Sequence, residues 1–114
     1  NVEEEEIEII WVPGCSEILY AANKIAAKKE KFDAVICLGA IIKGETSHFD
    51  FLAAQVAKGI SQISLSGNLP IVSGIITADS LEQAIQRAGA KEGNRGADAG
   101  LAALEMADLD ENLI

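Results

Sequence analysis

The sequence predicts an α/β fold, a three-layer sandwich in which helices cover both faces of a parallel sheet. Two apolar runs of strand length, residues 32–42 and 69–77, have the composition of strands that are buried on both faces. Segments with apolar residues at helical spacing separate them, and strands that alternate with helices favour parallel pairing. The length of 114 residues and the 49% hydrophobic content suit a single domain, residues 1–114, with a small core.

Each predicted element has a recognisable start or end. Residues 6–12 (EIEIIWV) are rich in β-branched and aromatic side chains and stop at Pro13 and Gly14, which indicates a first strand followed by a turn. The helices are predicted at about residues 16–29, 48–66, from 77 or 79 to 90, and 95–108, which gives the order βαβαβαα.

Helix caps and apolar faces refine this prediction. Thr46 and Ser47 are suited to cap the second helix, because their hydroxyl groups accept hydrogen bonds from the free N–H groups of a first turn. Leu101, Leu104 and Met106 are predicted to face inward from the last helix. Ligand chemistry in such a fold is expected in the loops that follow the carboxyl ends of the strands.

The charge balance excludes two classes of partner. With 9 basic and 18 acidic residues the net charge is -9, which repels nucleic acid and anionic membrane surfaces. No apolar run approaches the ~20 residues of a spanning helix, and the acidic start differs from a signal peptide, so a cytoplasmic protein is expected. Cys15 and Cys37 are too few for a zinc site and are interpreted as buried thiols.

The single histidine of the chain lies where the second predicted strand gives way to a helix. Residues 43–48 (KGETSH) combine a flexible glycine and two hydroxyl groups with His48 at a helix N-terminus, which presents free N–H groups and a partial positive charge. The pattern is typical of an anion site, and it is also compatible with a simple cap in which His48 is a surface residue.

A second basic feature is Arg87, near the end of the third predicted helix. A guanidinium offers a planar set of donors that suits phosphate, whereas an arginine at a helix C-terminus also simply complements the helix dipole. Residues 94–96 (NRG) are interpreted as an ordinary turn between helices, and no chemistry is assigned to them.

Four motifs occur together in the order and spacing of one known family. They are VPGCSEI (12–18), KFDAVICLGAIIKGETSHFDF (31–51), ITADSLEQAIQRAGAKEGNRG (76–96) and ALEMADL (103–109). From residue 11 to residue 109 the chain resembles the lumazine synthases, whose fold is flavodoxin-like.

This resemblance implies an activity and an assembly. The activity is the condensation of 5-amino-6-(ribitylamino)pyrimidinedione with 3,4-dihydroxy-2-butanone 4-phosphate to give 6,7-dimethyl-8-ribityllumazine in riboflavin biosynthesis, without a metal or an organic cofactor. The assembly is a homo-oligomer, a pentamer or an icosahedral shell of pentamers. Each pocket for the small-molecule substrates would then lie between neighbouring subunits.

The resemblance also implies a role for each matching residue. His48 corresponds to the proton-transfer histidine, and an imidazole, which can both donate and accept a proton, suits that role. Arg87 corresponds to the phosphate-binding arginine, and Glu17 to the acidic residue that binds the ribityl hydroxyls. The remaining matches are a phosphate loop of Gly44, Glu45, Thr46 and Ser47, and substrate contacts by Ser16, Ala40, Ile41, Ile42, Ser73 and Lys91.

The chain departs from the family pattern at three places. Ser16 and Ser73 stand where the family usually has aromatic residues that wall the pocket, and each lost aromatic face removes ~0.5–1.5 kcal/mol of binding. The family's first strand and helix have no counterpart in this sequence. That strand would lie between residues 6–12 and residues 32–42, and unpaired buried backbone groups cost ~1–3 kcal/mol each.

Three functions are therefore considered. The first is an active lumazine synthase, which the retained His48, Arg87, Glu17 and Thr46 favour. The second is a structural scaffold that forms a shell or cage with weakened or no activity, which Ser16, Ser73 and the absent first strand favour. The third, a flavodoxin-like binding or regulatory module, leaves the matched motifs without an explanation.

Overall fold

A computed structural model describes residues 2–28, 30–45 and 48–113 of the chain. It contains a parallel pair of strands with two helices on each face, together with short 3-10 turns at Glu4–Glu6 and Lys43–Glu45. The elements are β1 (Val35–Ile42) and β2 (Ile71–Ala78), and α1 (Cys15–Ala26), α2 (Phe49–Leu65), α3 (Leu81–Arg87) and α4 (Arg95–Asn112).

The main core lies between the sheet and helices α1 and α2. The strands pair in register from Val35 opposite Ile71 to Ile42 opposite Ala78. One face of the pair packs against α1 and α2, through side chains such as Val56 of α2, which is 1% exposed. The other face carries α3 and α4. None of the helices in the described residues is long and apolar enough to cross a membrane.

The predicted first strand, residues 6–12, is wrong. After the turn at Glu4–Glu6, residues 7–12 belong to no helix or strand of the described chain. Ile7, Ile9, Ile10 and Trp11 are exposed, with Trp11 89% exposed, and only the half-buried Val12 packs against the core. A strand is defined by hydrogen bonds to a neighbouring strand, and β1 and β2 pair only with each other in the described part. The composition of this segment favours an extended conformation, but neither described strand forms hydrogen bonds with it.

Strand β1 is buried on one face, whereas burial on both faces was predicted. Cys37 and Ile41 are buried beneath α1 and α2, but Leu38 on the opposite face is 58% exposed. The reason is that α4 packs mainly on β2, where a Cβ added at Gly74 would lie 3.0 Å from the Cβ of Ala99. The second face of β1 is therefore largely uncovered.

The inward side of α4 was also predicted incorrectly. Its buried residues are Ala99 and Ala103, while the predicted inward residues Leu101, Leu104 and Met106 are exposed. Alanine on the helix and glycine on β2 allow the two backbones to approach closely. Small residues rather than large ones therefore mark the packed side of this helix.

One hydrogen bond between the strands shows which backbone groups face the two outer edges of the sheet. The N–H of Val35 donates to the carbonyl of Pro70 at 2.9 Å, and backbone groups of successive strand residues point to alternate sides. The backbone groups of Ile36, Leu38 and Ala40 therefore face away from β2. By the same alternation, Ser73, Ile75 and Thr77 direct their backbone groups to the outer edge of β2.

Candidate functional site

The loop after β1 lies beside the end of β2, as parallel pairing requires. The 3-10 turn Lys43–Glu45 follows β1 directly, and a Cβ added at Gly44 would lie 3.9 Å from the carbonyl oxygen of Asp79. Thr46 and Ser47, predicted as caps and phosphate ligands, lie outside the described residues, as does the side chain of Glu45. In the described residues, Gly44 of the predicted phosphate loop thus lies next to the end of β2.

His48 begins helix α2 as its N-cap residue. Its backbone has φ -123° and ψ 39°, and its carbonyl accepts the N–H of Leu52 at 2.9 Å, which is the first bond of the helix. The residue is exposed. The imidazole is therefore carried on a helix terminus that the strand–helix connection fixes at the carboxyl end of β1.

Arg87, the last residue of α3, is anchored to β2. Its Nη1 donates a hydrogen bond to the carbonyl oxygen of Thr77 at 2.8 Å. That carbonyl points to the outer edge of the sheet, where no strand takes it in the described chain. One nitrogen of the guanidinium is thus fixed on the backbone, which leaves the other donors of the group for an anion.

A cavity of about 390 Å³ opens beside this guanidinium, at the outer edge of β2. Its polar lining comes from the end of α3, the turn after it and the start of α4. The lining residues are Ile75, Ile76, Thr77, Arg87, Glu92, Asn94, Arg95 and Asp98.

Sequence reasoning missed Arg95, to which it assigned no chemistry. The residue opens α4 directly after Asn94, whose Oδ1 accepts the N–H of Ala97 at 2.9 Å and caps the helix. A cation at the first position of a helix opposes the helix dipole, and that unfavourable position was the available signal of another role. The structure brings Arg95 and Arg87 to one cavity.

The other predicted substrate residues lie along α1 and β1. Ser16 and Glu17 are exposed in the first turn of α1. At the end of β1, Ile41 is buried and Ile42 is half-buried. The carbonyl of Ala40 accepts the Cys15 thiol at 3.8 Å, which connects the start of α1 to the outer edge of β1.

Ser73 and Lys91 lie away from the cavity that Arg87 lines. Ser73 is opposite Cys37 in the middle of β2, and its Oγ accepts the N–H of Ile75 at 3.3 Å. Lys91 is exposed in the turn between α3 and α4. Neither residue contributes to the cavity lining, and neither does His48. Within one chain, the cavity therefore brings together the two arginines but not the predicted proton-transfer residue.

A comparison with protein families identifies the chain's relatives. The model of the 6,7-dimethyl-8-ribityllumazine synthase family matches residues 1–111. The chain belongs to this family. The match confirms the lumazine synthase resemblance and the flavodoxin-like α/β fold, and it connects the chain to a transferase family of riboflavin biosynthesis.

The cavity of this lumazine synthase family member has a balanced charge. Arg87 and Arg95 supply two guanidinium groups, while Glu92 and Asp98 supply two carboxylates. Within the described part of the chain, neither carboxylate forms an ion pair with either arginine. An anion that enters the cavity therefore meets arginines that are not already neutralised by direct contact.

The two thiols do not provide a nucleophile or a metal site. Burial raises the pKa of the Cys37 thiol to about 11, and burial is also the largest cause that raises the pKa of Cys15, against the lowering effect of its bond to Ala40. Both thiols are therefore protonated at neutral pH, and the thiolate is the reactive form. The described residues contain no group of three His, Cys, Asp or Glu side chains that could hold a metal ion.

Proposed function

We propose that this chain is a lumazine synthase that condenses 5-amino-6-(ribitylamino)pyrimidinedione with 3,4-dihydroxy-2-butanone 4-phosphate. The observation that carries the proposal is the guanidinium of Arg87, held by Thr77 beside a cavity that Arg95 also lines. Charge-assisted bonds from arginine suit a phosphate monoester, and a fixed donor binds with less loss of side-chain freedom. The family match supports the same reaction.

In the proposed reaction the phosphate group anchors the four-carbon substrate while protons move at its carbonyl carbons. The amine of the pyrimidinedione attacks the ketone, and loss of water forms an imine. Elimination then releases inorganic phosphate, and the ring closes with loss of a second water. His48 is the proposed group that donates and accepts these protons, and Glu17 is the proposed acceptor for the ribityl hydroxyls.

We propose that the complete pocket lies between two subunits of a homo-oligomer, a pentamer or a shell of pentamers. In one chain His48 follows β1, whereas Arg87 lines a cavity at the outer edge of β2 that excludes His48. The exposed apolar side chains Leu81 and Ile85, one turn apart on α3, also support association. One subunit would contribute His48 and Glu17, and the next Arg87 and the Ser73 region.

Mixing two inactive variants tests this proposal. Arg87→Ala should weaken binding of the four-carbon phosphate by more than about tenfold, the scale of a lost charge-assisted contact, and Lys58→Ala on the exposed side of α2 is the control. His48→Ala should slow lumazine formation by ~10²–10⁴-fold. If subunits are unfolded together and reassembled, about one quarter of the pockets in the mixture combine an intact His48 with an intact Arg87.

Absorbance of the lumazine product measures the recovery. The proposal predicts that the mixed sample is far more active than either variant alone. Activity in the parent but none recovered in the mixture would contradict the shared pocket. A parent that forms no product, with both substrates saturating, would contradict the enzymatic function itself.

The second candidate function is a shell-forming scaffold with weakened or no activity. It is favoured by the two serines, since Ser16 is exposed and Ser73 uses its hydroxyl within β2. An assembled but inactive parent would support it. For either function we propose a cytoplasmic protein.

We further propose that a strand completes the domain along the outer edge of β1. The backbone groups of Ile36, Leu38 and Ala40 face that edge, and residues 7–11, with four exposed apolar side chains, are a second segment that lacks a cover. The family's first strand would lie between these two segments, supplied by a preceding segment or by another chain. A strand in this position would form backbone hydrogen bonds both with β1 and with the segment before α1.

A further inference from the structure

The turn between α3 and α4 holds Glu92 at the cavity through its backbone. The N–H of Glu92 donates to the carbonyl of Gln86 at 3.1 Å, and Ala88 pairs with Asn94 across the turn. Gly93, the next residue, has φ +102°, a conformation that residues with side chains rarely adopt. The backbone therefore fixes the position of Glu92 in the turn that lines the cavity.

Glu92 and Asp98 are not equivalent. Asp98 lies three residues after Arg95 in α4, so the two side chains share one helix surface, although no ion pair joins them in the described structure. Glu92 comes from the turn, and the described structure gives it no cation as a direct partner. Glu92 therefore presents its negative charge to an anion in the cavity from the turn, and not from the helix that carries Arg95.

We infer that the Glu92 carboxylate sets the selectivity of this cavity between a bare phosphate and a phosphate monoester that carries hydroxyl groups. Its charge opposes any phosphate dianion that the two arginines attract. A hydroxylated ester offsets this repulsion, because its hydroxyl groups donate hydrogen bonds to the carboxylate. The inference rests on the proposed phosphate site and adds a residue that selects the ester and favours departure of released phosphate.

The test compares two ligands on three proteins. Inorganic phosphate and glycerol 3-phosphate are titrated calorimetrically at pH 8 into the parent, Glu92→Gln and Glu82→Gln. Glu82 lies in the first turn of α3 outside the cavity lining, so its replacement makes the same change in net charge elsewhere. Glu92→Gln should bind inorganic phosphate about three- to tenfold more tightly, the effect of removing one charge several ångströms from a dianion in water.

Glu92→Gln should raise the affinity for glycerol 3-phosphate clearly less than the affinity for inorganic phosphate. The substitution removes the repulsion of the ester's phosphate, but it also removes the charged acceptor for the ester's hydroxyl groups. Glu82→Gln should bind both ligands as the parent does. Equal gains for both ligands, no gain for either, or the same gain in Glu82→Gln would overturn the inference. A parent that binds neither ligand would overturn it as well.

Failure of the proposed function has a different signature. If the parent makes no lumazine but binds phosphate, the reaction fails and the comparison of Glu92→Gln with Glu82→Gln still stands. If Arg87→Ala leaves phosphate affinity unchanged, the proposed phosphate site fails whatever Glu92→Gln does. Urea unfolding of each variant excludes a loss of folding, which is not expected at an exposed position.

Discussion

Along the outer edge of β2, side chains of the same chain bond the backbone groups that a further strand would otherwise take. The Oγ of Ser73 accepts the N–H of Ile75, and the guanidinium of Arg87 donates to the carbonyl of Thr77. Along the outer edge of β1, far fewer backbone groups are bonded by side chains. In the described chain, Ala40 accepts one weak thiol contact from Cys15, and the N–H groups of Ile36 and Leu38 have no backbone acceptor.

The difference separates an edge that ends the sheet from an edge that continues it. Unpaired edges invite pairing with another strand, and proteins usually block them with charges, bulges or covering segments. The blocked edge of β2 carries the cavity and its arginines. The open edge of β1 instead faces away from that cavity, and the uncovered face of this strand has exposed apolar side chains, including Leu38. We expect binding chemistry at the first edge and structural completion at the second.

Proline substitutions at adjacent positions of β1 give the largest expected effect. Val35→Pro removes the N–H that bonds Pro70, whereas Ile36→Pro removes an N–H that faces the open edge. In this 114-residue chain, Val35→Pro should therefore lower the free energy of unfolding by ~1–3 kcal/mol more than Ile36→Pro, because it leaves the Pro70 carbonyl without a donor. Urea denaturation measures both values.

Val35→Ala and Ile36→Ala provide the matched controls, since they remove side-chain packing without removing an N–H. After that subtraction, equal costs for the two prolines would mean that the edge of β1 is already paired. When a completing strand is supplied along β1, Val35→Pro and Ile36→Pro should lower the free energy of unfolding equally, because each then removes one hydrogen bond between strands.

The labelling rates of the two thiols also report on the open edge of β1, and the expected effect is smaller. Burial raises the pKa of both cysteines, that of Cys37 to about 11, so both should react more slowly with iodoacetamide at pH 8 than an unfolded thiol. Cys15, half-buried at the open edge, should react before the buried Cys37. Because the thiolate is the reactive form, raising the pH from 8 toward 9 should accelerate the labelling of both thiols.

Mass spectrometry of timed samples measures both rates, and the chain denatured in urea is the reference. Supplying a strand along β1 should slow Cys15 and leave Cys37 unchanged. Faster labelling of Cys37 than of Cys15 would contradict the placement of the two thiols.

The helices and the buried strands could be predicted because their signals are local. The second helix, predicted at 48–66, spans Phe49–Leu65, and the strand predicted at 69–77 spans Ile71–Ala78. Periodicity and breakers such as Gly67, with φ +78°, are enough for such elements.

The wrong and missed predictions concern residues whose structure depends on contacts with distant parts of the sequence, which a local pattern does not show. Residues 7–12 have the composition of a strand, but pairing needs a second strand. In α4 the sequence pattern predicts the large residues on the inner side, yet Gly74 of β2 selects Ala99 for contact. Arg95 was missed because its role depends on the position of Arg87, which lies eight residues away in sequence and lines the same cavity.

Amide hydrogen exchange, resolved by residue, tests the contrast between the two edges most directly. In β1 of the 114-residue chain we expect protection to alternate, with the amides of Ile36 and Leu38 exchanging more than about tenfold faster than those of Cys37 and Gly39. The amide of Ile75 should be protected and should lose that protection in Ser73→Ala. Uniform protection along β1, or an Ile75 amide that is indifferent to Ser73→Ala, would contradict the account.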